Sequence, residues 1–386
     1  MLQWLAEIRR DLHSHPEPAF SEFRTTKLIK DNLNELGVEI IDLPGLDTGI
    51  VGLIHGAGPG PVLGLRADID ALPLQEMNDV PYKSTIDGMM HACGHDAHTA
   101  IILGVAKKII DTGLQAQLNG TVKFIFQPAE ETVSGAGRMI ELGVLKNPSV
   151  NRILAGHMFT DIPTGTIGWF NGPSHAATDK FRLEITGRGT HGGYPHQGRD
   201  AILAGANFVM AVQTIISRNI SPTDSGVISV GQFEAGTTSN VIPETARIQG
   251  TIRSLTAAVR EILFRRLQET ADGLESMFGV QSRLELVPGV PPNINDSQVS
   301  RFLAEVGQHV LGPDKVIELP PTMGGEDFAL FTAKVPGALI RIGCGNKSLG
   351  KTQPLHSPYF DIDEQSLVYG VEVFYEAVRA YLQAPV

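Results

Sequence analysis

Apolar residues fall three and four apart from Glu7 to about Leu36, the spacing of a single buried helix face, so this segment is expected to be helical. A Gly- and Pro-rich stretch, Gly56 to Pro61, gives way to the short apolar run Val62-Leu63-Gly64-Leu65, which reads as a buried strand. Similar runs recur at Val122 to Phe126, Ile153 to Ala155 and Leu339 to Ile342, with helical patterns such as Ala97 to Ile110 between them. Strands alternating with helices predict an α/β fold whose mixed, mostly parallel sheet is flanked by helices. In such sheets, ligands gather at the carboxyl ends of the strands.

After about Ala177 the pattern shifts to longer, alternating strands at Phe181 to Thr186, Val227 to Phe233 and Ala246 to Arg253. Two helical segments, about Ala201 to Ser217 and Thr256 to Phe278, lie among them. The expectation is an inserted α+β domain over residues 178–288, with residues 1–177 and 289–386 forming the first domain. An amphipathic helix from Gln365 to Leu382 closes the chain. A length of 386 residues fits two cores better than one.

Composition narrows the function classes. A formal net charge of -11, with no basic stripe, argues against a nucleic-acid partner. The first ten residues place their charges after the apolar ones, unlike a secretory signal. The longest apolar stretch, Ala201 to Ile216, contains Asn207 and Gln213 and falls short of the ~20 residues that span a bilayer, so no membrane partner is expected. Only Cys93 and Cys344 are cysteines. A reducing cytoplasm is the natural setting, and a cysteine flanked by histidines then reads as chemistry.

That cysteine stands in His91-Ala92-Cys93-Gly94-His95-Asp96-Ala97-His98. Thiolate and imidazole suit zinc and other late first-row metals, and Cys93 and His95 can converge from one tight turn across Gly94. The plainer alternative is a helix start capped by Asp96. His98 reads as a supporting residue rather than a ligand. Glu130 and Glu131 follow a strand, where one carboxylate can bind metal and the other move a proton; alone, they would be a match to a helix dipole. His157 also lies just past a strand. Asp68 and Asp70 end another, and residues two apart on an extended chain face one way, as ligands or as partners that orient a ligand histidine. His356 stands in a Pro-flanked loop. One crevice at the sheet edge would collect them all. Two rivals remain at this level: Cys93 as a covalent nucleophile with His95 or His98 as base, and a non-catalytic metal- or ligand-binding protein on the same fold.

Arg10 to Glu17, Arg66 to Pro73, His91 to His98, Gln127 to Glu131, Gly156-His157, Gly189 to His191, Asn240 to Pro243, Met323 to Phe328 and Leu355 to Pro358 form an ordered set. In that order and combination the chain resembles the aminoacylase-like metallopeptidase superfamily, and within it the hippurate hydrolases and auxin–amino acid conjugate hydrolases, over essentially its whole length. The resemblance implies an amidohydrolase that cleaves N-acyl amino acids, with two divalent metal ions per subunit. It assigns the metals to Cys93 (bridging), His95, Glu131, His157 and His356, and makes Glu130 the general base. Zinc suits the donors, with manganese, cobalt or nickel as alternatives. Asp68 stands where the wider superfamily has a histidine ligand; the Cys-containing subgroup shares this departure, which leaves Asp68 and Asp70 as supporting partners.

The inserted domain resembles the family's lid and homodimerisation domain. There His191 matches a histidine that stabilises the oxyanion, often in the partner subunit's site. Asn240, Arg253 and Gly325 match substrate-binding positions, and the planar fork of Arg253 is suited to a carboxylate. Ala201 stands where the family usually has Pro, and Gly325 where Ser is common; both departures bear on specificity.

Overall fold

In the computed structural model, which describes residues 1–383, the chain forms two compact units. The first comprises Met1–Gly172, Ile294–Pro320 and the chain from Asp327 on; the second comprises Pro173–Asn293 and Pro321–Glu326.

Four parallel strands form the centre of the first unit: β1 (Gly58–Asp68), β2 (Asn119–Gln127), β3 (Arg152–Pro163) and β4 (Gly337–Gly345), in the spatial order β2-β1-β3-β4. Four shorter strands extend this sheet to eight. Glu39–Ile41 and Ile50–His55 lie beyond β2, and Ile167–Trp169 and Val316–Glu318 beyond β4. Both extensions join the centre antiparallel, so the sheet is mixed. Each flank pairs with a central strand distant in sequence, Ile50–His55 with β2 and Ile167–Trp169 with β4. The central strands are buried on both faces, which is why they read as continuous apolar runs rather than alternating ones. Leu63, Leu65, Phe124, Phe126, Leu154 and Ile340 face one helix layer, whereas Val62, Ile125, Ile153, Ala155 and Leu339 face the other.

The expected helix from Glu7 to Leu36 is two helices, Leu2–Ser14 and Phe23–Glu35. Pro16 and Pro18 lie in the gap; proline lacks the donor and disfavours a helical residue before it. Helix α1 (His95–Asp111) begins directly after the Cys93 turn. Its preceding residue, Gly94, has φ +91, and a Cβ there would meet the Met158 Cβ at 3.1 Å. Glycine is required at this turn both by conformation and by close approach.

In the second unit, a four-stranded antiparallel sheet runs Gly226–Ala235, Thr245–Ser254, Ala177–Thr186, Gln281–Val287. Its alternating residues Phe181, Leu183, Ile185, Ile248 and Ile252 pack under the helices Ala201–Asn219 and Ala257–Phe278. The first of these helices extends three residues past the apolar stretch seen in the sequence. Among the described residues it is long and apolar enough to cross a membrane. Its Ala204, Phe208, Val212 and Ile215 are instead buried in this unit's core.

Candidate metal centre

The carboxyl end of β1 supplies Asp68 and, two residues on, Asp70, both buried. Asp68 Oδ2 accepts a hydrogen bond from Arg66 at 2.8 Å, and Oδ1 pairs with His98 Nδ1 at 2.5 Å. The backbone N–H of Met158 donates to His98 Nε2 at 2.8 Å. Both ring nitrogens of His98 are thus used within the protein: Nε2 must accept, so Nδ1 carries the proton to Asp68. His98 is a support, not a ligand. Burial opposes ionisation of Asp68, but His95, Arg66 and His98 outweigh it and hold its pKa well below the usual carboxylate value.

His95 is fixed from the other side. Its Nδ1 lies 2.9 Å from the Asp70 carbonyl oxygen and 3.2 Å from Asp70 Oδ1, while its Nε2 is buried with no hydrogen-bond partner. Glu131 Oε1 is likewise buried without one. Two such orphaned atoms in one place call for a ligand, because unpaired buried polar groups are costly. His157 donates through Nδ1 to the Met158 carbonyl at 2.9 Å, which leaves Nε2 facing Cys93 Sγ at 3.5 Å. His356 Nε2 lies 3.5 Å from Glu131 Oε1. The His356 backbone sits at φ +62 and its N–H donates to the Ala92 carbonyl, tying this loop to the Cys93 segment.

The donor atoms of Cys93, His95 and His157 all lie within 4.8 Å of one another, as do those of Cys93, Glu131 and His356. Cys93 belongs to both sets. A tetrahedral ion with zinc-like bonds holds its ligands roughly 3.3–3.8 Å apart, close to the separations seen here. Burial pushes the Cys93 thiol pKa well up, with Glu131 adding to it, and burial also raises Glu131. A thiol and carboxylates packed this way resist ionisation unless cations join them. The residues present fit two divalent metals.

The structure therefore brings together Cys93, His95, Glu131, His157 and His356, with Asp68 and Asp70 directly behind His95. Glu130 is beside them, its carboxylate within 4.8 Å of the donor atoms of His95 and Glu131. The loop that carries the two glutamates is strained: Ala129 and Val133 have φ +55 and +56. It is held by three carboxylates, of which the sequence singled out only Asp70. Fully buried Glu22 accepts the Ala129 N–H at 2.9 Å and the Thr48 hydroxyl at 2.7 Å. Asp70 Oδ2 accepts the Glu131 N–H at 3.0 Å, and Asp327 accepts from Gln127, Ala136 and Arg66.

A second network, also unforeseen, lies behind Asp96. Buried Arg9 donates to Asp96 at 2.9 Å and to Asp361 at 2.8 Å. His13 bridges Asp96 at 2.7 Å and Glu76 at 3.2 Å. The motif Arg10 to Glu17 carried the only hint, since it placed a histidine on the first helix.

In the second unit, Thr190–His191 pairs antiparallel with Val241–Ile242, and the Gly192 N–H donates to the Asn240 carbonyl at 2.7 Å. His191 Nδ1 accepts from the Gly193 N–H at 3.0 Å, so the neutral ring carries its proton on Nε2. Arg253 donates to the Ile252 carbonyl at 3.1 Å, and burial lowers its pKa. Its register partner is Thr178, whose Cγ2 would stand 2.3 Å from a Cβ at Gly325. A serine at 325 would displace Thr178; the departure from the family pattern is a packing feature.

The family model for peptidase family M20/M25/M40 matches residues 64–380. An N-acetylcysteine deacetylase of Bacillus subtilis is 40% identical over 379 residues, covering 98% of this chain and 97% of that protein. An IAA-amino acid hydrolase of Arabidopsis thaliana is 36% identical over 383 residues, covering 98% of this chain and 86% of that protein. Among solved structures, a dinuclear metal-binding M20 peptidase of Bacillus subtilis superposes with a TM-score of 0.88 at 37% identity, covering 100% of this chain and 99% of that one.

Proposed function

The chain belongs to peptidase family M20/M25/M40 and is a metal-dependent amidohydrolase; from that premise we propose that its substrates are N-acyl amino acids with a free carboxylate. The observation that carries this reading is one thiol common to two ligand sets, with a spare carboxylate, Glu130, beside both.

Cys93, His95, His157, Glu131 and His356 would hold two divalent cations, which when bound supply Lewis acidity and lower the pKa of water from about 15.7 towards ~7. Glu130 is the general base: it takes a proton from the attacking water and gives it to the leaving nitrogen. Asp68 and Asp70 keep His95 aimed, and His98 holds Asp68 in turn. His191, with its proton on Nε2, is the oxyanion donor. Asn240 and Arg253 receive the substrate's carboxylate, and Gly325 shapes that region through Thr178. Zinc is the metal we assign, with manganese, cobalt and nickel as alternatives.

The inserted domain, residues 178–288, is also assigned the role of lid and homodimer contact. Leu203 and Met210 are 55% and 73% exposed on its first helix, and Gly226–Ala235 leaves an open sheet edge. The cytoplasm is the proposed compartment, since a free thiol at Cys93 needs reducing conditions. Purified protein should release amine from a panel of N-acyl amino acids, and a chelator should stop it. Turnover that survives chelation would favour a thiol mechanism at Cys93; no turnover on any member of the panel would leave a binding protein.

A further inference from the structure

Nine consecutive residues of β4 are buried, and one of them is charged: Arg341. It is the register partner of His157 on β3, so the two side chains leave adjacent strands on the same face. Its guanidinium carbon lies 3.6 Å from the centroid of the Phe159 ring and 5.4 Å from that of Phe170. Phe159 in turn lies 5.1 Å from the His157 ring. One aromatic ring therefore separates this cation from a residue of the candidate metal centre.

The charge is poorly matched within the protein. Arg341 is 9% exposed, its side chain makes no hydrogen bond among the described residues, and its Nε is buried without a partner. The acidic group nearest to it, Asp161, is 4.0 Å from Nη1 and 66% exposed, so water screens it. Burial without a bonded anion destabilises the charged form, and the pKa is depressed accordingly. The Phe159 ring covers the guanidinium at cation–π distance, and the N–H donors along a guanidinium's edge are the groups that suit a planar acceptor with two oxygens.

We infer that Arg341 is a subsite for a second carboxylate of the substrate, so that the favoured N-acyl amino acids carry a carboxylate beyond the α-carboxylate. This rests on the proposed function, because it places the cleaved bond near His157. The second carboxylate sits either on a dicarboxylic acyl group or on an acidic amino-acid side chain.

The test compares N-acetyl-L-methionine, N-acetyl-L-glutamate and N-succinyl-L-methionine with the metal-loaded wild type, Arg341→Met and Arg341→Lys. One of the two dicarboxylate substrates should exceed N-acetyl-L-methionine in kcat/KM for the wild type, and which one identifies the source. Arg341→Met should reduce that ratio roughly 10- to 100-fold, mainly through KM, and Arg341→Lys less. An unchanged ratio in a folded Arg341→Met, or no wild-type preference, overturns the proposal. Should no substrate be cleaved, the proposed function fails, and calorimetry with glutarate decides the subsite alone. Glutarate binding lost in Arg341→Met supports it; binding equal in both proteins, or absent from both, overturns it. If Arg341→Met does not fold, Arg341→Gln replaces it in both measurements.

Discussion

Around Cys93, the Asp68, Asp70, His95 and His98 side chains are all buried, and each is bonded to at least one other protein group. Around His191 the side chains of His191, Tyr194 and Asn240 are exposed, and the local bonds are mostly backbone contacts of the short strand pair. The difference follows the work assigned to each region. Groups that hold cations must keep several negative charges close together, which only a fixed, fully bonded surround allows. A single neutral donor needs only the right tautomer, and one backbone N–H at Nδ1 supplies that.

The contrast can be broken in order of expected effect. Glu130→Gln should lower turnover roughly 10²–10⁴-fold while metal content, read by elemental analysis, stays at the wild-type level. An active Glu130→Gln would remove the general base from the account. His191→Ala should cost roughly 10²–10³-fold in kcat with an unaltered melting temperature, because the residue is exposed and packs little. Near-normal turnover there would reduce the second region to a bystander.

Smaller effects should come from the surround. Glu22→Ala removes the acceptor that holds Ala129 at positive φ, and should reduce kcat by about tenfold. Adding Ala129→Gly should restore part of the loss, since glycine adopts that φ without strain. No recovery in the double variant would mean that Glu22 acts by some route other than the Ala129 backbone. Acid stability should change without any effect on turnover at neutral pH. Asp361, paired with Arg9, has its pKa lowered from 3.8 to about 2. A carboxylate with a depressed folded-state pKa stabilises the fold above its unfolded value, and that stability is lost as pH falls from about 4 through about 2. The loss is worth roughly 2 kcal/mol. In denaturant titrations of the metal-free chain, Asp361→Asn should be weaker than wild type at pH 5 and close to it near pH 2. Parallel curves for the two proteins would reject Arg9–Asp361 as an acid-sensitive link.

Much of this was legible in the chain. The four central strands announced themselves because burial on both faces leaves continuous apolar runs, and the α/β fold follows from their alternation with helices. Cys93 and His95 stood out because a thiol and imidazoles crowd one short segment; Glu131, His157 and His356 gained weight only from their shared place near strand ends, and the five-residue ligand set is what the family resemblance implies. What stayed hidden depends on pairing across distance. Arg9 and Asp361 are 352 residues apart, and nothing in either segment names the other. Glu22 reads as an ordinary polar residue until the fold sets it against Ala129, 107 residues on. The helix break was missed because three-and-four spacing continues across Pro16 and Pro18. Arg341 looked like one polar residue inside a strand, and its missing partner emerges only in three dimensions.

In the proposed function a single thiolate, Cys93, serves two cation sites. Metal content of the purified chain, measured by elemental analysis for the wild type and Cys93→Ala, tests it directly. Two divalent ions are expected per wild-type chain, with a loss of tight binding at both positions in Cys93→Ala. Two tightly held ions in Cys93→Ala, or a wild-type chain that binds only one at saturating metal, would contradict it.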